Sequence, residues 1–268
     1  MRKSKPMSSI LTFISVLGFS TTPQAEPITK NYQFVAGDVL VQKESLWKAL
    51  KVLDVDKIED KQVTLHVMVF EDSKSKPSIK SLEKRPVKIY HAPIAAENFA
   101  QSWELLGNRN IENSELVGFI EYLKHTNFQR YAEVTKQNID ELISLANSKY
   151  KEAYALGKQS KFNEAIALYS EATDIFPMFI EAIDNIAFTY MDMGDNENAI
   201  KYFDESLRIE PDGYTALYYK GQSYINLGDV DSAYTIFKEG MSRFPEKKSA
   251  FEEVYLKLQK IKYMRSNG

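Results

Sequence analysis

Pro177, Pro211 and Pro245 stand 34 residues apart, and the chain between them repeats without a gap. "MGDNENAIKYFDESLRIEP", ending at Pro211, is echoed by "LGDVDSAYTIFKEGMSRFP", ending at Pro245. Aligned on the prolines, the units run 146–179, 180–213 and 214–247. Ala165, Ala199 and Ala233 share one place in the unit, and Tyr169, Phe203 and Phe237 a second. Ala153, Ala187 and Gly221 share a third, Leu156, Tyr190 and Tyr224 a fourth, while Ser160, Gly194 and Gly228 mark the middle. A fixed period of this length belongs to stacked supersecondary units, each burying its apolar face against the next.

The middle unit gives the shape of the unit. A helix over 181–193 is stopped by Gly194, the residue best able to turn left-handed after a helix. Asp195 follows where an N-cap belongs, and the second helix ends before Pro211, which has no amide to continue the ladder. Ala187 and Ala199 let the two helices close up, and Phe203 fills the space toward a neighbour. Charged positions face water and are free to differ. The pattern resembles the tetratricopeptide repeat, a 34-residue pair of antiparallel helices. The first unit departs from it at Lys149, Glu152 and Ser160, and the third at Lys220. The fold expected is an α-helical solenoid of three such repeats over 146–247 with a C-terminal capping helix over 248–268. In that cap Phe251, Val254, Tyr255, Leu258 and Ile261 form one stripe, with Ser249 and Glu252 as a capping box. Lys257, Lys260 and Lys262 make a solvated far side.

The resemblance also implies a site. In that family the first helices of the units line a concave groove for an extended peptide or a partner helix. The lining positions fall on Tyr150, Tyr154 and Lys158, on Glu181, Asp184, Phe188 and Asp192, and on Tyr218, Gln222 and Asn226. Met191 and Ile225 lie at the edge. Members that clamp a C-terminal carboxylate carry lysine, arginine and asparagine at set positions, which here hold Tyr150, Tyr154, Asn185, Thr215 and Tyr219. Only the asparagine matches. With Glu181, Asp184 and Asp192 in the groove, the segment expected there is neutral or basic. Phe188 and Tyr218 have a competing role, simple packing between neighbouring first helices.

The start of the chain bears on compartment. Arg2, Lys3 and Lys5 precede a ten-residue apolar run, "ILTFISVLGF", and then "STTPQAEP", the order of a secretory signal peptide over 1–25. The run falls short of the roughly 20 residues a membrane span needs, so no stable membrane insertion is expected. Cleavage is open between Ser20 and Ala25. Loss of 1–25 removes three cations and takes the net charge from −3 to −6. No broad basic field calls for nucleic acid as partner. Cysteine is absent, which removes disulfides, thiolate chemistry and the anchor cysteine of a lipoprotein. The expected destination is export, with a bacterial periplasm fitting best and eukaryotic secretion remaining open.

Residues 26–113 carry no repeat and read as a small α+β domain. "QVTLHVMVF" (62–70) and "PVKIYHA" (86–92) predict two strands around a charged, exposed loop, and "YQFVAGDVLVQ" (32–42) a third. Helices are expected at 44–53, with Leu46, Trp47 and Leu50 inward, and at 95–106, with Phe99 and Trp103 inward. Residues 114–145 read as connecting helices, broken near His125, with Thr126 and Gln129 as a capping box.

Catalytic and metal motifs are missing. His66, His91 and His125 lie too far apart for a metal signature, although His66 and His91 could meet across the proposed hairpin. Three S-x-x-K matches, at Ser45, Ser81 and Ser148, lack the companion motifs of penicillin-binding enzymes. No catalytic residue, metal site or cofactor is assigned. The reading is an exported protein that mediates protein–protein interaction or assembly through the repeats. Two alternatives stand beside it: a periplasmic enzyme or small-ligand binder with its site in the N-terminal domain, and a purely structural assembly subunit. Oligomeric state is left open.

Overall fold

The computed structural model describes residues 33–59, 61–99 and 103–267; the expected signal peptide and its cleavage points lie outside the described residues. The chain divides into two compact units, one running through Asn127 and the other from Phe128.

In the first unit, β1 (Asp38–Lys43), β2 (Trp47–Ile58), β3 (Lys61–Phe70), β4 (Val87–Ala95) and β5 (Glu104–Asn108) form one antiparallel sheet. Their order is β4-β3-β2-β1-β5. The register sets Leu40 opposite Leu50, Leu50 opposite Val69 and Val69 opposite Ile89, an apolar row across four strands. It joins Phe34, Val67, Phe99 and Trp103 in a single core. The two strands predicted over 62–70 and 86–92 do pair, and the third contributes β1.

The helix expected over 44–53 is instead the first half of β2. Ala49, Leu50, Lys51, Val52 and Leu53 are all buried. A strand covered on both faces loses polar alternation, so its spacing imitates a helix stripe. The helix expected over 95–106 is likewise replaced, by a 3₁₀ turn at Ala96–Phe99 and by β5. Phe99 and Trp103 are buried as foreseen, with ring centroids 5.6 Å apart. The charged loop between β3 and β4 is tied down more than its composition suggests. Ser73 and Trp47 exchange backbone hydrogen bonds of 2.7 and 2.9 Å, and α1 (Ile79–Leu82) is closed by a Ser78–Ser81 capping box.

After the sheet comes α2 (Val117–Thr126), which buries Phe119 and Leu123 and lies on β4. Gly118 makes that approach possible: a Cβ there would sit 2.8 Å from the backbone carbon of Tyr90. The predicted break holds, since α2 stops at Asn127, but Thr126 does not cap the next helix. Its hydroxyl donates back to the Tyr122 carbonyl at 2.7 Å.

The second unit is helical. α3 (Phe128–Thr135) leads into α4 (Ile139–Lys158), whose first turn is capped by Asn138 accepting from the amides of Asp140 and Glu141. α5 (Phe162–Ile175) pairs with α4, α6 (Ile180–Asp192) with α7 (Asn196–Ile209), and α8 (Tyr214–Asn226) with α9 (Val230–Arg243). α10 (Lys248–Asn267) packs on α9. These are the three predicted hairpins and the cap.

The prolines sit in one backbone environment. The residues before them, Phe176, Glu210 and Phe244, adopt φ/ψ of −128/88, −119/86 and −125/74, the extended geometry proline imposes on its predecessor. Their amides close the second helices onto Ala172, Ser206 and Gly240 at 2.9, 2.8 and 2.9 Å. Ser160, Gly194 and Gly228 all turn left-handed, at φ 59, 79 and 74. Asp195 accepts from the Asn198 amide at 3.1 Å, and Asp229 repeats the cap on Ser232 at 3.0 Å. The shared alanines are fully buried, as are Phe203 and Phe237. α10 runs straight on from a 3₁₀ turn at Pro245–Lys247, so it starts at Lys248 and not at a Ser249 cap.

Candidate partner-binding face of the repeats

The ten residues singled out from the sequence lie on α4, α6 and α8, at three- or four-residue steps that set them on one stripe of each helix. Their environments differ. Tyr150 is a packing residue: its ring meets Tyr169 and Phe179 at 5.5 and 5.0 Å, and its hydroxyl accepts from the Asn185 amide at 3.2 Å. Burial, reinforced by the Glu181 carboxylate, pushes its hydroxyl pKa up. Tyr218 is also internal to the stack, against Phe237 at 5.4 Å and Phe251 at 5.6 Å. Asn226 is exposed, but its amide reaches back to Asn196 at 2.9 Å and joins α8 to the start of α7.

The rest of the stripe is more open. Tyr154 is 46% exposed, with the Lys158 ammonium 5.0 Å from its ring centre. Glu181 and Asp192 are exposed, and Gln222 is half-buried. Phe188 is half-buried, edge-on to Phe203 at 5.3 Å and to Tyr219 at 4.9 Å. Asp184 is half-buried, and its Oδ1 is buried without a hydrogen-bond partner. Burial raises its carboxyl pKa, with the Ser206 hydrogen bond opposing and the carboxylates of Glu181 and Glu210 adding to the rise. A carboxylate held this way gains by meeting a cation.

Tyr219 was not among the ten. It is 38% exposed and makes an aromatic pair with Phe188 across the boundary between hairpins. Its signal was the position shared by Lys151, Asn185 and Tyr219, which drifts in chemistry from unit to unit. Asn185, the one residue matching a carboxylate clamp, already gives its amide to Tyr150 and to the Glu181 carbonyl.

The sequence model of the tetratricopeptide repeat family matches residues 190–254. That stretch covers the joint between the second and third hairpins and the start of α10; the hairpin before it has the same helix ends and buried alanines, but Lys161 stands where Asp195 and Asp229 cap the later second helices. The helical half is an array of tetratricopeptide repeats. Solved structures similar to it include the tetratricopeptide repeat domain of Sgt2 from Aspergillus fumigatus, 18% identical. It covers 46% of this chain and 82% of that one, with a TM-score of 0.42. The N-terminal domain of stress-induced protein-1 from C. elegans is 17% identical over 44% of this chain and 97% of its own, with a TM-score of 0.42. The TPR2B domain of yeast Sti1, in its complex with pHsp70, is 17% identical over 44% and 98%, with a TM-score of 0.40. No curated protein matches the chain by sequence.

A second cluster lies in the sheet unit. His66 and His91 meet across β3 and β4, Nδ1 to Nε2 at 2.9 Å, and His66 Nε2 reaches Asp56 at 3.0 Å. A carboxylate only accepts, so His66 carries its proton on Nε2. In the neutral pair it then accepts at Nδ1 from His91. Phe119 and Tyr122 of α2 cover both rings. Burial, helped by repulsion from His66, lowers the His91 pKa to about 3, against an attraction to Asp56. Among the described residues no group of three or more His, Asp or Glu is placed to hold a metal ion. No described helix is long and apolar enough to cross a membrane.

Proposed function

We propose that the repeats bind a neutral or basic protein segment along α4, α6 and α8, and that the chain is an exported interaction or assembly module, best suited to a bacterial periplasm. The observation that carries this is the Phe188–Tyr219 pair bridging two hairpins, with the exposed ring of Tyr154 at the matching place on α4 and the exposed carboxylates of Glu181 and Asp192 on the helix of Phe188. Aromatic rings offer large contact areas at small entropic cost, and flanking carboxylates select against acidic segments. The sheet unit orients the bound segment or adds a second contact to it. Its interior is filled by Phe34, Leu50, Val67, Phe99 and Trp103, which disfavours the alternative of an enzyme or small-ligand site there.

The test is a peptide library graded from acidic to basic, screened against the full chain and against a Tyr154→Ala, Tyr219→Ala variant. Tyr218 is left intact because its removal would empty the stack. Preferential capture of basic apolar peptides, lost in the variant while its helical signal is kept, is the expected result. Equal capture by the variant would refute the face; binding of acidic C-terminal peptides that Asn185→Ala abolishes would refute its charge preference.

A further inference from the structure

α10 has more apolar surface than the stack can cover. Its packed side buries Phe251 and Leu258 against α9. At 20 residues it spans about 30 Å, against about 21 Å for the 14-residue α9, so its last turns run past their support. On the opposite side Leu256, Tyr263 and Met264 are 48%, 71% and 64% exposed. With Lys260 they stand at i, i+4, i+7 and i+8, the spacing of a buried helix face, yet here in water. Lys260 is an exposed cation within this stripe, whereas Arg265, seven residues beyond Leu258, continues the line of the packed side. The far side of the cap is therefore not the plain solvated lysine face its sequence suggested, and Lys262 turns away from it to Asp231 and the ring of Tyr234.

We infer that this outer stripe of α10 docks into the α4–α6–α8 face of a second copy of the chain. The proposal rests on the groove reading above and names its occupant. The face offers exposed rings at Tyr154 and Tyr219 with carboxylates at Glu181 and Asp192; the helix end offers Tyr263 and Met264 with Lys260. An amphipathic helix laid in a groove is read through anchors at this spacing, and opposite charges fix its register. Because the two surfaces differ, the contact is head-to-tail and leaves a free groove and a free helix at the ends of any assembly.

The chain contains no cysteine, so introduced thiols report contacts without background. Full chains carrying Lys158→Cys and Gln259→Cys, exposed positions beside the anchors, are mixed and oxidised. The mixed disulfide is expected to exceed both self-pairs several-fold, and Lys260→Glu in the Gln259→Cys chain is expected to abolish the excess. A mixed product no greater than the self-pairs overturns the proposal, as does an excess that survives charge reversal. Dominant Gln259→Cys self-pairing would show a symmetric helix contact and overturn it too. Binding to anionic phospholipid vesicles without mixed disulfide would assign the helix to a membrane surface instead. Should the library select basic peptides on the groove while no mixed disulfide forms, the groove stands and self-docking alone fails.

Discussion

Gly240 and Gly157 are both helical, yet alanine should act on them with opposite signs. A Cβ on Gly240 would lie 2.1, 2.2 and 2.6 Å from Cδ1, Cε1 and Cγ of Phe251. That ring is fully buried and held by Tyr218, Phe237 and Phe244 at 5.6, 6.0 and 5.9 Å, so it cannot tilt aside alone. Alanine in place of glycine favours a helix by about 1 kcal/mol. Overpacking costs about 1–3 kcal/mol, and this contact belongs at the upper end because α10 would have to move by more than an ångström. Full release of α10 is worse, since Phe251 and Leu258 each lose about 1.5–3 kcal/mol of burial. Gly240→Ala is therefore expected to destabilise by about 1–2 kcal/mol. At Gly157 the nearest neighbour of a new Cβ is the Ala165 methyl at 4.0 Å, an ordinary contact. Gly157→Ala is expected to stabilise by about 0.5–1 kcal/mol. Urea unfolding followed by helical ellipticity reads the two signs, and amide exchange in α10 reads the local loosening. Adding Phe251→Leu to Gly240→Ala is expected to recover part of the loss. Equal or greater stability of Gly240→Ala would refute the claim that glycine is there to seat the capping helix.

Three further outcomes follow from particular contacts. Asp195→Ala removes the cap on the Asn198 amide and is expected to cost about 1 kcal/mol, read by urea unfolding and by faster amide exchange at the start of α7. The folded pKa of His91, about 3, lies below the ordinary value of 6.5. Between those values the unfolded chain binds more protons, so stability is full above 6.5 and falls as pH drops, by up to about 1.4 kcal/mol per pH unit. His91→Gln is expected to flatten that slope in stability–pH profiles. Lys51 is fully buried on β2, with its ammonium 2.6 Å from Glu115 and 2.7 Å from the Asn110 carbonyl, and Arg109 holds the other carboxylate oxygen. Lys51→Met is expected to destabilise by about 2–3 kcal/mol and Lys51→Met with Glu115→Gln by less, since the loss comes from the carboxylate left behind.

The repeat half was legible because its backbone is dictated locally. Gly194, Asp195 and Pro211 each fix a turn, a cap and a stop within one unit, and the same three steps recur 34 residues on. The sheet half was legible only where one face of a strand is wet. β4, with Val87, Ile89 and His91 set against exposed Lys88 and Tyr90, alternates and was found. β2, buried on both faces, does not, and its Lys51 made a helix stripe look more convincing than it was. Nothing in the sequence marks Lys51 as buried, because its partner Glu115 lies 64 residues away on a separate turn. The proposed binding face was half legible: helix and stripe follow from the period, but Tyr150 and Tyr218 turn inward and Tyr219 does not. Adjacent tyrosines differ by 100° around a helix, and small shifts between hairpins decide which of them the next unit covers.

The positions that do not repeat are where specificity can reside. Ala153, Ala187 and Gly221 stay small because a neighbour's side chain allows no more; a Cβ on Gly221 would come within 2.7 Å of Phe237. Such places answer to helix spacing and carry no information about a partner. One place in the unit reads Tyr154, Phe188 and Gln222 in turn, and another Lys151, Asn185 and Tyr219. Stacking does not require this drift, since both places lie on first helices and are at least partly exposed in every unit. Where they meet, at Phe188 and Tyr219, two unlike units build an aromatic pair that neither contains alone. A partner that reads this pair reads the joint between hairpins. Gly213, at that joint, donates its amide to the Glu210 carbonyl at 3.0 Å, which ties the turn between α7 and α8. The spacing of the two rings then follows from the repeat itself, and what the proposed face would recognise depends on the order of the units as much as on their residues.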